Sequence, residues 1–192
     1  MEDSESISYE EDDKSLDSDD LEKMEVKLEQ DDRLVRIDQE YKLAKSDLFL
    51  SNKGCSIGRN ENNKDVIKAT IIGPKNSPFY GGFYKLTINF TENYPASAPL
   101  VKFETKIFHP NVYDDGKICI AIINNWKSDY SIVHILSAIY ILLENPYEGS
   151  PANEEAGTMI KNDKKLEKEG KPNPHTYEKK ASEWNSKYAF PV

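Results

Sequence analysis

The residues of this chain with the clearest chemical potential lie in segment 108–122, which reads FHPNVYDDGKICIAI. It places an imidazole, His109, ten residues before a thiol, Cys119. A thiol beside a general base is a nucleophile for acyl transfer. The turn-forming residues between them, among them Pro110 and Asn111, leave their separation in space open. A cysteine between two isoleucines is equally typical of a small buried core residue, so the residues alone leave both interpretations standing.

Metal chemistry is not predicted for this chain. Its only cysteines are Cys55 and Cys119, and its only histidines are His109, His134 and His175. None of these residues is spaced like a set of zinc ligands, and two cysteines are too few for a disulfide framework. His134 lies within an apolar helical run, where a histidine is more typical of a structural residue at the helix rim than of a ligand. We therefore expect no metal and reduced thiols.

The charge of the chain is distributed unevenly. Residues 1–32 hold fifteen Asp and Glu against three Lys, a net charge of −12, whereas the whole chain of 192 residues carries −9. The remaining 160 residues therefore form a mildly basic body with a net charge of +3. Up to about Asp19 the acidic tail has almost nothing apolar to bury, which predicts disorder. Solvation and an electrostatic arm are both open as its role, and the body has no dense basic stripe that would favour nucleic acid as a partner.

An amphipathic helix is predicted to follow the tail. Apolar residues recur every three or four positions, at Leu34, Ile37, Tyr41, Ala44 and Leu48. The basic residues lie largely off this apolar face, at Arg33, Arg36, Lys42 and Lys45. Apolar residues at the same spacing reach back to Leu21, so the helix begins anywhere between about residue 20 and Asp32.

The middle of the chain changes to a period of two. Residues Tyr84 to Phe90 alternate between apolar and polar, which predicts a half-buried strand, and segments 66–72 and 100–104 are shorter strand candidates. The Gly- and Pro-rich segment 73–82 turns the chain between the first two strands. The pattern therefore predicts an antiparallel meander.

Helices return in the last third of the chain. A broad apolar face over 132–143 predicts a helix buried against the sheet, and segments 154–169 and 176–188 predict two more helices. Together with the first helix and the meander, they predict an α+β fold. The longest apolar stretch, 135–143, is far shorter than the ~20 residues of a membrane helix, and the chain starts without a secretory signal. We therefore expect a protein of the cytoplasm or the nucleus with no membrane partner.

Several blocks of this sequence resemble the ubiquitin-conjugating enzymes. The His-Pro-Asn triplet at 109–111 is followed, eight residues after its asparagine, by Cys119. The turn at 73–82, the Tyr-Pro pair at 94–95, Trp126 and the Glu-Trp pair at 183–184 match in the same order. The resemblance covers residues 33–192 as a catalytic core with a four-stranded meander and an insertion near 168–175. The acidic residues 1–32 form an extension outside it.

The resemblance implies acyl transfer without a protease-like triad. Cys119 would accept the C-terminal glycine of ubiquitin or a ubiquitin-like protein from an activating enzyme, and a substrate lysine or a ligase cysteine would then attack this thioester. Asn111 would donate to the oxyanion or hold the loop that forms it. His109 and Pro110 would be structural. No bound cofactor is implied, because ATP is consumed upstream by the activating enzyme.

The resemblance also implies surfaces for partners. The basic helix residues Arg33, Arg36, Lys42 and Lys45 would contact the activating enzyme. The surface for ubiquitin ligases would be altered, because this chain has Ala96, Ser128 and Asp129 where many relatives have other residues. At two further positions where many relatives carry a carboxylate that orients the incoming lysine, this chain has Ala121 and Ser150. Ser150 is therefore a candidate lysine-orienting position.

Two alternatives to an active ubiquitin enzyme stay open at this point. One is a conjugating enzyme for a ubiquitin-like modifier, and the other is an inactive variant that binds ubiquitin as a scaffold. Inactive forms of this fold lack the cysteine, so the complete His-Pro-Asn triplet and Cys119 favour activity.

Overall fold

The computed structural model describes residues 18–190. The disorder that the sequence predicts through about Asp19 falls almost wholly outside this range. The elements follow in the order α1 Ser18–Ser46, α2 Leu48–Asn52, β1 Cys55–Asn60, β2 Asn63–Ile72, β3 Phe83–Asn89, β4 Leu100–Phe103, α3 Ala121–Asn124, α4 Ile132–Glu144, α5 Glu154–Lys168 and α6 Thr176–Tyr188.

The four strands form one antiparallel sheet in the order β1-β2-β3-β4. The alternation seen in the sequence is realised in β3, where Tyr84, Leu86 and Ile88 are buried between more exposed neighbours. Leu86 pairs with Ala69 of β2 on one side and with Phe103 of β4 on the other. The predicted α+β fold with its meander is therefore confirmed.

The strand limits differ from the sequence pattern in two places. β2 begins at Asn63, three residues before the predicted start, because Asn63 pairs with Asn60 across the turn from β1. β1 itself has no predicted counterpart, since nearly all of its residues are half-buried and no alternation marks it. A strand can be predicted from the sequence only when its apolar residues lie on one face and so alternate with polar ones.

Helix α4 lies at the centre of the core. Ile132, Ile135 and Leu136 have no measurable exposure, as expected for a helix buried by its whole apolar face. Its first turn is closed by His134, whose Nδ1 accepts the N–H of Ser131 at 3.2 Å. The structural interpretation of His134 is thereby confirmed.

Helix α1 starts at Ser18, close to the earliest start that the sequence allowed. The apolar side chains of its first turns are not packed into the core, because Leu21, Met24 and Leu28 are 44–57% exposed. From Leu34 onward the apolar face packs on the core, and Ile37 is buried. The N-terminal part of α1 is therefore exposed, and the part from Leu34 onward packs on the core.

Helices α5 and α6 match the predicted segments to within one residue and are joined by the exposed segment 169–175. The buried carboxylate of Asp163 on α5 accepts the N–H of Tyr177 at 3.0 Å and the hydroxyl of Thr176 at 2.9 Å, which caps α6. Tyr177 and Trp184 then pack against Phe108. Helix α6 thus supports the segment that carries the chemistry.

Candidate active site

A hairpin-like loop brings Cys119 back to Asn111. The N–H of Cys119 donates to the carbonyl of Asn111 at 2.8 Å, and Val112 bridges to Ile118. Gly116 turns the loop with a φ of +87°, and a Cβ there would lie 2.2 Å from the carbonyl oxygen of Phe103. Glycine alone fits such a turn. The eight-residue spacing seen in the sequence is therefore the length of this loop.

His109 is fully buried and uses both ring nitrogens. Its Nδ1 accepts the N–H of Asn111 at 3.0 Å, so the ring proton resides on Nε2, which donates to the carbonyl of Leu142 at 3.2 Å. Burial lowers the pKa of His109 to about 4. Because both ring nitrogens are hydrogen-bonded, this imidazole has no free nitrogen that could accept the proton of the Cys119 thiol.

The side chain of Asn111 forms two hydrogen bonds to the backbone of the loop that follows α4. Its Nδ2 donates to the carbonyl of Tyr147 at 2.8 Å, and its Oδ1 accepts the N–H of Tyr147 at 2.9 Å. The carbonyl of the buried Pro110 adds bonds from Ala152 at 2.7 Å and Asn153 at 3.0 Å. In this arrangement the amide that the sequence offered as an oxyanion donor is engaged with backbone on both of its polar atoms.

The two cysteines lie in different surroundings. Cys119 is half-buried at the start of the short helix α3, and the amide Nδ2 of the exposed Asn124 lies 3.6 Å from its Sγ. Cys55 begins β1 and packs against the core, where burial, and after it the charge of Asp47, raise its pKa to about 12. Sequence analysis missed Asn124, because no motif marks it.

Ser150 lies exposed on the segment between α4 and α5, and it makes no hydrogen bond within residues 18–190. Ala121 is also exposed, as the first residue of α3. The only carboxylate in the Ser150 segment is Glu148, which forms an ion pair with Lys164 at 3.2 Å. Because Asn111 and Pro110 hold this segment, the structure brings Ser150 to the same side of the molecule as the loop of Cys119.

The basic face of α1 divides into two kinds of residue. The side chain of Arg33 is only 11% exposed and pairs with Asp65 at 2.8 Å, so the expectation of an exposed charge is wrong there. Arg36 is half-buried and bonds Glu40 at 2.8 Å and the carbonyl of Ser128 at 2.6 Å. Glu40 lies one helical turn from Arg36, but Asp65 and Ser128 lie far away in the sequence, so the helix pattern could not reveal those two contacts.

The other two basic residues of the predicted contact surface, Lys42 and Lys45, face solvent. The side chain of Lys42 is 73% exposed and pairs with Asp38 of the same helix. Lys45 is exposed and lies 5.8 Å from the centre of the Tyr41 ring. Of the four basic residues that the sequence singled out, the exposed ones therefore lie within the last five residues of α1.

The residues of the altered ligase surface lie on two neighbouring loops. Ala96, Ser128 and Asp129 are all exposed. The indole N–H of Trp126 donates to the carbonyl of Pro95 at 2.8 Å, which ties the two loops together. The three residues thus belong to one continuous surface beside α1.

No group of three or more His, Cys, Asp and Glu side chains within residues 18–190 could hold a metal ion. In the same part of the chain, no helix is long and apolar enough to cross a membrane.

Known proteins with similar sequences agree with the loop geometry. The family model described as "Ubiquitin-conjugating enzyme" matches residues 36–183. The chain is 42% identical over 113 residues to ubiquitin-conjugating enzyme E2 3 of Arabidopsis thaliana, a match that covers 58% of this chain and 75% of the relative. It is equally similar over 113 residues to ubiquitin-conjugating enzyme E2 1 of Caenorhabditis elegans, of which it spans 59%. This chain therefore belongs to the ubiquitin-conjugating enzyme family.

Proposed function

We propose that this chain accepts ubiquitin from an activating enzyme as a thioester on Cys119 and transfers it to a lysine, usually with a ubiquitin ligase. The observation that supports this most is the loop that returns a half-buried thiol to the His-Pro-Asn turn. In loading, the Cys119 thiolate attacks the thioester carbonyl, and the sulfur of the activating enzyme leaves. ATP is used in that earlier activation, so the chain itself needs no bound cofactor for the exchange.

The protein contributes geometry more than acid-base chemistry. His109 is neutral and engaged, so the proton of the attacking amine passes to solvent or to a group of the acceptor. Asn111 holds the loop after α4 against the loop of Cys119, and this supports its loop-forming role over direct contact with the oxyanion. Positioning of this kind is a large part of what an enzyme provides when the acceptor supplies the nucleophile.

Partners are proposed to meet the protein on separate surfaces. The exposed Lys42 and Lys45 of α1 are the basic residues best placed to attract the activating enzyme. The surface that holds Ala96, Ser128 and Asp129 would meet a ligase whose recognition differs from the common one. Arg33 and Arg36 act on these surfaces indirectly, because they fix α1 to strand β2 and to the loop that carries Ser128.

The organisation of the chain is proposed in the same way. Residues 33–192 form the catalytic core, and the acidic residues 1–32 form an extension whose helical part begins at Ser18. The proposed insertion near 168–175, at the end of α5 and before α6, is largely exposed. The cytoplasm or the nucleus is the proposed location.

A loading assay tests this function. With activating enzyme, ATP and ubiquitin, we expect a reductant-sensitive adduct on the wild type and on Cys55→Ala, but not on Cys119→Ala. Parallel reactions with ubiquitin-like modifiers and their activating enzymes decide which modifier is carried. Failure of the wild type with every modifier would favour the inactive scaffold, and an adduct that survives Cys119→Ala would refute the assignment of the nucleophile.

A further inference from the structure

The amide of Asn124 is in direct contact with the proposed nucleophile. Its Nδ2 lies 3.6 Å from Sγ of Cys119, within the range of an N–H···S hydrogen bond. No other hydrogen bond to this sulfur is present within residues 18–190. The backbone N–H of Asn124 donates to the carbonyl of Ile120 at 3.0 Å, so the turn of α3 fixes the position of the residue. An exposed asparagine is thus held over the thiol by the helix that Cys119 precedes.

Asn111 makes no such contact with the sulfur within residues 18–190. Both polar atoms of its amide are bonded to Tyr147, and the residue is 1% exposed. Asn124 is exposed, and its Cys119 contact is its only side-chain hydrogen bond within residues 18–190. Asn111 therefore holds the loop after α4, whereas Asn124 contacts the sulfur.

We propose that Asn124 is a catalytic residue that donates a hydrogen bond to the sulfur of Cys119 whenever that sulfur carries negative charge. This inference rests on the proposed function of Cys119. In loading, the donor increases the fraction of thiolate that attacks the incoming thioester. In discharge, the C–S bond to Cys119 breaks, and its electron pair returns to Sγ, where the same N–H group stabilises it. A neutral amide does this without a titrating proton of its own.

The charged groups on the elements around Cys119 are largely paired with one another. On the preceding loop, Asp115 pairs with Lys117 at 3.2 Å, and Asp114 is exposed. On the segment after α4, Glu148 pairs with Lys164. None of these groups is in hydrogen-bond contact with Sγ, and the fully buried His109 is neutral above about pH 4. The contact from Asn124 is therefore the one polar side-chain contact to this sulfur within residues 18–190.

The pH dependence of alkylation tests the proposal without any partner protein. Iodoacetamide labelling of Cys119 is followed by mass spectrometry from pH 6 to pH 10 in the wild type, Asn124→Ala and the matched control Asn125→Ala. Asn125 is the exposed neighbour, with no side-chain hydrogen bond within residues 18–190. We expect Asn124→Ala to react about threefold more slowly at pH 7, because a tenfold smaller thiolate fraction is partly offset by a more nucleophilic thiolate.

The shape of the pH profile separates this role from a structural one. Above the thiol pKa, Asn124→Ala should react as fast as the wild type or faster, whereas a disturbed loop would change the rate equally at every pH. Asn124→Asp keeps the size but replaces the donor with a charge that repels the thiolate, so it should lose about tenfold at pH 7. Discharge of loaded enzyme to free lysine should slow in Asn124→Ala and not in Asn125→Ala.

The outcomes also separate this proposal from the proposed function. Parallel profiles for the wild type and Asn124→Ala, with Asn124→Asp unchanged, would overturn the role of Asn124 even if the wild type loads normally. A wild type that never forms a reductant-sensitive adduct would instead refute the role of Cys119, whatever the alkylation profiles.

Discussion

The two cysteines of this chain are both half-buried, but different groups surround their thiols. Cys55 begins an edge strand, packs on the core and has a pKa raised to about 12 by its burial. Cys119 ends a tight loop, is half-buried, and contacts the amide of Asn124. The residue type is therefore not what makes a nucleophile here. In the proposed function, what distinguishes Cys119 is the loop that presents its sulfur and the contact of that sulfur with the amide of Asn124.

The largest expected contrast is between the alkylation rates of the two thiols. A pKa of about 12 leaves Cys55 with a thiolate fraction on the order of 10⁻⁴ at pH 8. We expect Cys119 to react with iodoacetamide a few tens of times faster at that pH, after allowing for the greater nucleophilicity of a more basic thiolate, on the order of 10-fold or more. Peptide mapping after timed labelling measures both rates in one sample, and equal rates would remove the contrast.

The next effect concerns the two hydrogen bonds by which Asn111 joins the loop of Cys119 to the loop after α4. Asn111→Ala removes two hydrogen bonds to Tyr147, each worth about 0.5–1.5 kcal/mol net, and we expect loading and discharge each to fall about tenfold. Asn111→Asp keeps the acceptor for the Tyr147 N–H but places a buried carboxylate oxygen against the Tyr147 carbonyl, so it should lose at least as much. Single-turnover loading and lysine discharge measure the two steps. A loss of about 10² in discharge alone would instead make Asn111 an oxyanion donor.

Sequence reasoning succeeded where one face of an element is plainly apolar. The alternation of β3 and the broad face of α4 predicted a buried strand and a buried helix, because burial on one side leaves a period in the sequence. β1 left no such mark, since nearly all of its residues are half-buried. Periodicity in the sequence reflects burial on one face, so elements without a single buried face cannot be predicted from it.

The same limit applies to the candidate site. The spacing of Asn111 and Cys119 was readable because a loop of fixed length joins them. The burial of Arg33 was not, because its partner Asp65 lies on a distant strand. Asn124 has no motif of its own, and only the turn of α3 places its amide at the sulfur. Contacts made by folding, rather than by local sequence, were therefore the ones missed.

Charge reversal on α1 should give a smaller, salt-dependent effect. Lys42→Glu with Lys45→Glu should slow loading severalfold at low salt and less at high salt, because exposed charges act mainly on the rate of association. The matched control is Lys161→Glu with Lys179→Glu, which changes exposed lysines on α5 and α6 by the same charge. Loading rates at several salt concentrations measure the effect, and equal slopes for the two double variants would refute a specific role of α1.

The smallest expected effect concerns Ser150. If a charge at this exposed position orients or deprotonates the incoming lysine, Ser150→Asp should speed discharge to free lysine about two- to threefold, most clearly below pH ~8, where the amine is protonated. Thr158→Asp, an exposed change on α5, is the control. Discharge rates that match the control across this pH range would remove Ser150 from the site and leave it as a turn residue before Pro151.

The most direct test of the central claim maps the thioester in the unmutated chain. After loading, free thiols are blocked with N-ethylmaleimide, the thioester is cleaved with hydroxylamine, and the released thiol is labelled with iodoacetamide and located by mass spectrometry. We predict that the second label appears on Cys119, while Cys55 carries none. A second label on Cys55, or on neither cysteine of a chain that carries the modifier, would contradict the account.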